Sequence, residues 1–238
     1  MQLFYHPTCT QYSETIVFSK EESKHIVLVL RKKEGDTLHT TNGNGLFFTL
    51  QLTVAHPKKS IAKVLAFKKQ PPLPYSLHLA VAPTKSNDRF EWFLEKATEI
   101  GITQITPIIC DRSERKIIKP ERYEKIIISA MKQSVKAYKP LLNNACTFSD
   151  FVLSETVKKT PLSFIAHCEE DIQKKSLKRL LLSQQDVIIL IGPEGDFSPE
   201  EIAFAKQHHI VPVHLGTSRL RTETAAVVAC HSVAFVNE

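Results

Sequence analysis

Ile191-Gly-Pro-Glu-Gly-Asp-Phe197 and Leu215-Gly-Thr-Ser-Arg-Leu-Arg-Thr-Glu-Thr-Ala225 decide how this chain folds, because each follows an apolar run and leads into helix-forming sequence. Val187-Ile-Ile-Leu-Ile191 is a continuous, mostly β-branched run of the kind that forms a strand buried on both faces of a parallel sheet. A helix start follows: Ser198 is the N-cap, Pro199 takes the first helical position and Glu201 completes a capping box. Between strand and helix, Gly192 and Gly195 let the chain turn tightly and bring its amides close to a ligand. The second stretch repeats the plan, with Val211-Pro-Val-His-Leu215 as strand, Gly216 as turn and a helix from Thr222 through Phe235. Ligands of open α/β sheets bind at such C-terminal strand ends. A glycine-containing strand-to-helix loop is, by itself, equally a plain tight turn. Neither loop has a nucleotide-phosphate pattern, and Asn42-Gly-Asn-Gly45 reads as a hairpin turn.

Working outward, strands and helices alternate from Leu77, which predicts a parallel sheet. Leu77-His-Leu-Ala-Val-Ala82 is a strand. Asp88 caps a helix carrying Phe90, Phe93, Leu94 and Ala97 at helical spacing, with Trp92 off that stripe and Gly101 closing it. Ile102 to Ile109 is the next strand, Pro120 opens a helix through Met131, and Ser163-Phe-Ile-Ala166 is a third strand. A Lys-rich helix is expected around Lys174 to Leu182. Residues 1–70 read instead as short strands: Thr15–Phe18, His25–Leu30, Thr37–Thr40, Leu46–Val54 and Ser60–Phe67. A short helix from Ser23 is the alternative for the second of these. Their spacing predicts a small β-barrel, and Pro71, Pro72 and Pro74 form a stiff linker.

With 238 residues the chain has room for two domains, and charge divides them. Residues 1–72 hold ten Lys or Arg against five acids, +5 of the formal net charge of +6. A small basic domain joined to a nearly neutral one predicts that the first grips a polyanion and the second does the chemistry. An ordinary Lys-rich surface is the bland alternative. No apolar run is long enough to span a bilayer, and Met1 to His6 lacks a signal-peptide profile. Five cysteines with no C-x-x-C spacing predict reduced thiols in the cytoplasm. His167-Cys168 and His208-His209 lack companion ligands at suitable spacing, so no metal is expected.

Ile-Gly-Pro-Glu-Gly followed by Leu-Gly and Leu-Arg-Thr-Glu-Thr-Ala resembles the bacterial 16S rRNA uridine-N3 methyltransferases of the knotted SPOUT class. Lys85, Glu95-Lys-Ala-Thr-Glu-Ile-Gly101, Pro107, Arg112-Ser113 and Gln133-Ser134 with Pro140 stand in the order that family shows. The likeness is close from about residue 73 onward and follows position and character before it. It implies an α/β fold: a PUA-like, RNA-contacting β-barrel over residues 1–70, then a SPOUT parallel-sheet domain over 73–238 with a deep trefoil knot. It also implies a homodimer acting on 16S rRNA, within the assembled small ribosomal subunit, and S-adenosyl-L-methionine as cofactor. Ala225, Ala226, Ala229 and Ala234 line the last helix and suit close helix packing, between subunits or within one.

On that resemblance the cofactor is surrounded by Ile191, Gly192, Pro193, Glu194, Gly195, Leu215, Gly216, Leu220, Arg221, Thr222, Glu223 and Thr224, with His167 and Cys168 completing the wall. Uracil N3 is protonated at neutral pH and becomes nucleophilic as its proton leaves, so a cation beside the developing imidate favours transfer. Arg221 is the candidate for that role or for holding the adjacent phosphate. Lys85, Arg89 and Arg112 are expected to guide RNA, as are Arg31, Lys32 and Lys33 on the basic domain. The alternatives are plain ones: helix capping for Thr222, the favoured direct role; amide bonding for Glu194; surface placement for the arginines. No general base is evident, Glu223 and Glu194 being the nearest carboxylates.

This chain departs from the family pattern where Asp196 replaces a usual glycine, and at Ser218-Arg219 where Arg-Ile is usual. Asp tolerates a left-handed backbone better than most residues, so the turn is expected to survive. Lys132 and Lys136 likewise replace an acid and an arginine usual around Gln133-Ser134. Two other readings stand beside the leading one. One keeps fold and cofactor and methylates a ribose 2'-hydroxyl of rRNA or tRNA. The other is a non-catalytic RNA-binding or ribosome assembly factor with a decayed cofactor site.

Overall fold

The computed structural model describes residues 2–170 and 174–238. The chain forms two compact units, Met1–Pro72 with Ile128–Lys139, and Leu73–Ile127 with Pro140–Glu238.

The first unit contains β1 (Leu3–Tyr5), β2 (Thr15–Val17), α1 (Lys20–Lys24), a π-helical turn over His25–Val29, β3 (Thr37–Thr41), β4 (Leu46–Val54) and β5 (Ile61–Lys69). They make a five-stranded sheet in the order β1-β3-β4-β5-β2, with β1 and β3 parallel and the other pairs antiparallel. Strand alternation builds the core. Phe48, Leu50 and Leu52, every second residue of β4, are buried with Phe4, Ile16, Ile26 and Leu38. The β3–β4 turn is the one the sequence predicts: the Asn42 side-chain oxygen accepts the amides of Asn44 and Leu46 at 2.9 and 3.1 Å. Gly45 is required there, since φ is +92° and a Cβ would stand 2.5 Å from the Tyr138 hydroxyl.

His25–Leu30 is not a strand. The Ser19 hydroxyl accepts the Glu22 amide and caps α1, and the helical path then continues through the apolar run. Only Ile26 is buried; Leu28 and Val29 stay 60% and 67% exposed. A β-rich composition has yielded here to a local cap. The segment 128–139, which the sequence reading leaves in the second domain, joins this unit. The Ala137 amide donates to the Gln70 side chain at 3.0 Å, the Thr41 hydroxyl to the Ala137 carbonyl at 3.3 Å, and Lys132 pairs with Glu22 at 2.8 Å.

The second unit begins with β6 (Leu77–Val81), α2 (Asn87–Ile100), β7 (Gln104–Ile109) and α3 (Pro120–Gln133), whose last residues belong to the first unit. It continues with β8 (Leu141–Leu142), β9 (Cys146–Thr147), α4 (Phe148–Val152), α5 (Glu155–Lys159), β10 (Leu162–Ala166), β11 (Lys175–Ser176) and α6 (Leu177–Leu180). β12 (Val187–Ile191), α7 (Pro199–Gln207), β13 (Val211–His214) and α8 (Thr222–Val236) complete it. The strands pair in the order β11-β13-β10-β12-β6-β7-β8, β9 pairs with β7, and every pairing is parallel.

Every residue of β6 and β12 is buried. Alternation sends Leu77, Leu79, Ile189 and Ile191 into a core with Phe90, Phe93, Ala226 and Ala229. Ala80, Ile188 and Leu190 enter a second core with Phe148, Phe197 and Ile202. Burying each large side chain contributes about 1.5–3 kcal/mol, so two covered faces explain the near-continuous apolar character of these strands, His78 being the exception. Ala226 and Ala229 are wholly buried within the chain, which accounts for both without a second subunit.

Two local expectations are corrected. α2 starts at Asn87 with Ser86 in the capping position; Asp88 lies in the first turn, its side chain turned outward toward Arg122 at 3.7 Å. The Lys-rich helix shrinks to Leu177–Leu180, because Lys175 and Ser176 are drawn into the sheet edge opposite Val213 and His214. Residues 171–173 lie outside the described residues.

Candidate active site

β10 lies between β12 and β13, and β6 flanks β12 on its other side. Since all four run parallel, the loops leaving their C-terminal ends emerge along one edge of the sheet. The strands that feed the stretches 191–197 and 215–222 are therefore not neighbours in the sheet; β10, which leads into the Ala166–Cys168 loop, stands between them. The Pro83–Ser86 loop adjoins from the other side.

Specific bonds lock this cluster. The Thr222 hydroxyl donates to the Gly192 carbonyl at 3.1 Å. This replaces the expected capping role: α8 has Arg221 at its N-cap and no side-chain cap. One Glu194 oxygen accepts the Lys85 backbone amide at 2.9 Å, so it bonds an amide from another strand's loop. Its second oxygen is buried with no hydrogen-bond partner. Arg115, which no sequence pattern singles out, holds the same loop by donating to the carbonyls of Thr84 at 3.0 Å and Lys85 at 2.7 Å. Arg112 donates to the Gly195 carbonyl at 2.9 Å. The capping box at Ser198 and Glu201 forms as read, and the second Glu201 oxygen accepts the Asp111 amide at 3.0 Å.

Two adjoining clefts result. One of about 300 Å³ is lined by Ile191, Gly192, Pro193, Glu194, Leu220, Arg221 and Thr222, with Ala166, Cys168 and Asp196. The other, of about 780 Å³, is lined by Arg112, His167, Gly195, Leu215, Gly216 and Ser218, and shares Ala166, Cys168, Asp196 and Leu220 with the first. Gly216 has φ +141° with no atom within 4 Å of where a Cβ would stand, so the backbone turns toward open space.

Glu223 and Thr224 line neither cleft. Glu223 is 7% exposed and faces Arg89, Nε to Oε1 3.9 Å, with its other oxygen buried and unpartnered. Arg89 thus holds an internal carboxylate. Lys85 is exposed and pairs with Glu114 at 2.8 Å, a contact that raises its pKa. Arg221 is exposed, and its side chain makes no hydrogen bond or ion pair with the described residues. In the first unit Arg31 and Lys33 are exposed and Lys32 half-buried, on a turn closed by the Asp36 carboxylate accepting the Lys33 amide at 2.9 Å. Cys110 is buried, which pushes its thiol pKa up and keeps it inert. Among the described residues no group of His, Cys, Asp and Glu is placed to hold a metal ion, and no helix is long and apolar enough to cross a membrane.

A model of the RNA methyltransferase domain matches residues 71–234, and one of the RNA methyltransferase PUA domain matches residues 18–65. The chain belongs to the RNA methyltransferase family. Among relatives in it, ribosomal RNA small subunit methyltransferase E of Rickettsia conorii is 28% identical over 235 residues, 98% of this chain and 94% of that protein. The protein of the same name from Buchnera aphidicola of Acyrthosiphon pisum is 31% identical, across 89% of this chain and 85% of its own. A probable rRNA methyltransferase from Porphyromonas gingivalis superposes with a TM-score of 0.90 at 39% identity, covering 100% of this chain and 98% of that one. A putative methyltransferase from Legionella pneumophila, solved with bound SAM, gives 0.87 at 30% identity, over 99% and 97%. This RNA methyltransferase therefore has the SPOUT-type α/β domain and the PUA-type domain that the resemblance implies.

Proposed function

We propose that the chain transfers the methyl group of S-adenosylmethionine to N3 of a uridine in 16S ribosomal RNA. The observation that carries this is the convergence of the Ile191–Phe197, Leu215–Thr222 and Ala166–Cys168 loops on two joined clefts at the C-terminal ends of β12, β13 and β10. Relatives matched along nearly the whole chain carry small-subunit rRNA methyltransferase names, and the Legionella structure holds SAM.

The residues fit such a cofactor. The clefts fall in the usual size range for small-molecule sites. Backbone at Gly192, Gly195 and Gly216 lines the clefts, Ile191, Leu215 and Leu220 offer apolar walls, and Glu194, on the lining of the smaller cleft, keeps one buried oxygen without a partner. When bound, S-adenosylmethionine supplies an electrophilic methyl group on a sulfonium, and its transfer requires no metal. The chain's task is orientation. Arg221 lines the smaller cleft with an exposed side chain that has no partner among the described residues, which supports assigning it to stabilise the uracil imidate as N3 loses its proton. Arg112 orders the Gly195 turn, and Arg89 is occupied by Glu223, so neither is the free cation the chemistry asks for. Because N3 is engaged in base pairing, the target is an unpaired or splayed uridine. Arg31, Lys32 and Lys33 add charge for the RNA backbone. The reading carries with it the knot implied by the resemblance, a homodimer acting on the assembled small subunit, and a cytoplasmic setting; on α8, Phe235 is 66% exposed, apolar surface that a second copy would cover.

The test joins two measurements. Calorimetric titration with S-adenosylmethionine and S-adenosylhomocysteine should show saturable binding. Nucleoside analysis of 16S rRNA treated with protein and cofactor should then show 3-methyluridine. A 2'-O-methylated product would replace the proposed target atom, and RNA binding without cofactor binding would leave an assembly factor.

A further inference from the structure

We propose that Asp196 is a positioning residue: its carboxylate latches the Ala166–Cys168 wall to the Gly192–Phe197 loop and thereby sets the shape of the cofactor cleft. The inference rests on the reading above that this cleft takes S-adenosylmethionine.

Asp196 has φ +63°, in the left-handed region that favours glycine, and its amide donates to the Pro193 carbonyl at 2.9 Å to close the turn. Asp and Asn are the side-chain-bearing residues that tolerate this conformation best, because a short polar side chain can bond locally. Asp196 does so with one oxygen, which accepts the Phe197 amide at 2.9 Å. The other oxygen reaches across to a different strand's loop and accepts the Cys168 amide at 2.7 Å, the short distance of a charge-assisted bond.

The location of that second bond gives it its effect. The β10–β12 ladder ends at the pair Ala166 and Ile191. Beyond it the two chains diverge into loops, and both Asp196 and Cys168 line both clefts. On its far side the same wall is held through carbonyls, the Lys174 ammonium donating to His167 at 3.0 Å and to Glu169 at 2.7 Å. Asp196 holds it through an amide. A glycine at 196 would accept the backbone conformation more readily and leave the Cys168 amide without its acceptor. Turn geometry and wall position are thus separable by substitution.

The experiment compares wild type, Asp196→Gly and Asp196→Asn by hydrogen exchange at the Cys168 amide, by thermal melting without ligand, and by calorimetric titration with S-adenosylmethionine and S-adenosylhomocysteine. Asp196→Gly should melt no lower than wild type, exchange the Cys168 amide faster, and bind both probes about tenfold more weakly, equivalent to about 1.4 kcal/mol. Asp196→Asn keeps a side-chain oxygen for the Cys168 amide and should recover most of the affinity and protection. Wild-type binding that Asp196→Gly matches, with unchanged exchange at Cys168, overturns the latch alone. Absence of binding by wild type, with Asp196→Gly still exchanging faster at Cys168, overturns the cofactor reading and with it the role given to Asp196.

Discussion

The Thr222 hydroxyl donates to the Gly192 carbonyl at 3.1 Å, tying the first turn of α8 to the loop that leaves β12. Both residues are buried, so the carbonyl has no water to turn to if the hydroxyl is removed. Thr222→Val, which keeps the shape and deletes the donor, should lower unfolding free energy by about 1–3 kcal/mol in urea titrations. Thr222→Ser should lie near wild type. A stability loss in Thr222→Ser with none in Thr222→Val would place the effect in the methyl group.

Arg221 stands one residue earlier, exposed and unpaired. Arg221→Ala should reduce single-turnover methyl transfer by on the order of 100-fold, in the range seen for removal of one electrostatic stabiliser of a transition state, while leaving cofactor affinity within about twofold. Calorimetry and rapid-quench kinetics on the same preparation separate the two. Parallel loss of affinity and rate would assign Arg221 to the cofactor wall.

Arg89 is expected to act on stability before it acts on RNA. Among the described residues, its guanidinium is the one cation paired with the nearly buried Glu223. Arg89→Ala should cost about 1–3 kcal/mol by leaving that carboxylate uncompensated, and Arg89→Ala with Glu223→Gln should recover part of it. A double-mutant cycle measures the coupling. Weakened RNA affinity without any stability change would restore the guiding role.

His78 gives the fold a pH dependence. It is 5% exposed on β6, its Nε2 lies 2.7 Å from the Thr106 hydroxyl, and burial lowers its pKa from 6.5 to about 4. In the unfolded chain it takes up a proton as pH falls through about 6.5; in the folded chain it resists until about 4. Its contribution is therefore complete above pH 6.5 and is lost as pH falls between these values, on the order of 3 kcal/mol in total. Urea titrations at pH 7.5 and 4.5 should show a smaller difference in His78→Gln than in wild type. An equal difference would place the acid sensitivity elsewhere.

Much of the candidate site can be read in sequence because its parts are local. The capping box of Ser198 and Glu201, the run Val187–Ile191 and the Asn42–Gly45 turn each depend on residues within a few positions of one another, and all form as read. Arg115 and Asp196 act through contacts to Thr84, Lys85 and Cys168, 28 or more residues away, and no spacing rule encodes such partners. His25–Leu30 was open between strand and helix because its composition favours β while a cap at Ser19 starts a helix upstream.

The sequence by itself determined which segments are strands buried on both faces, where the last two helices begin, and which loops carry glycine-turned backbone, because hydrophobic period, capping and turn chemistry act over a few residues. Only the tertiary structure decided that β10 lies between β12 and β13, that Thr222 bonds Gly192 instead of capping α8, and that residues 128–139 join the first unit. Strand order and segment placement are chosen by side chains far apart in the chain as they bury one another, and that free energy belongs to no single stretch of sequence.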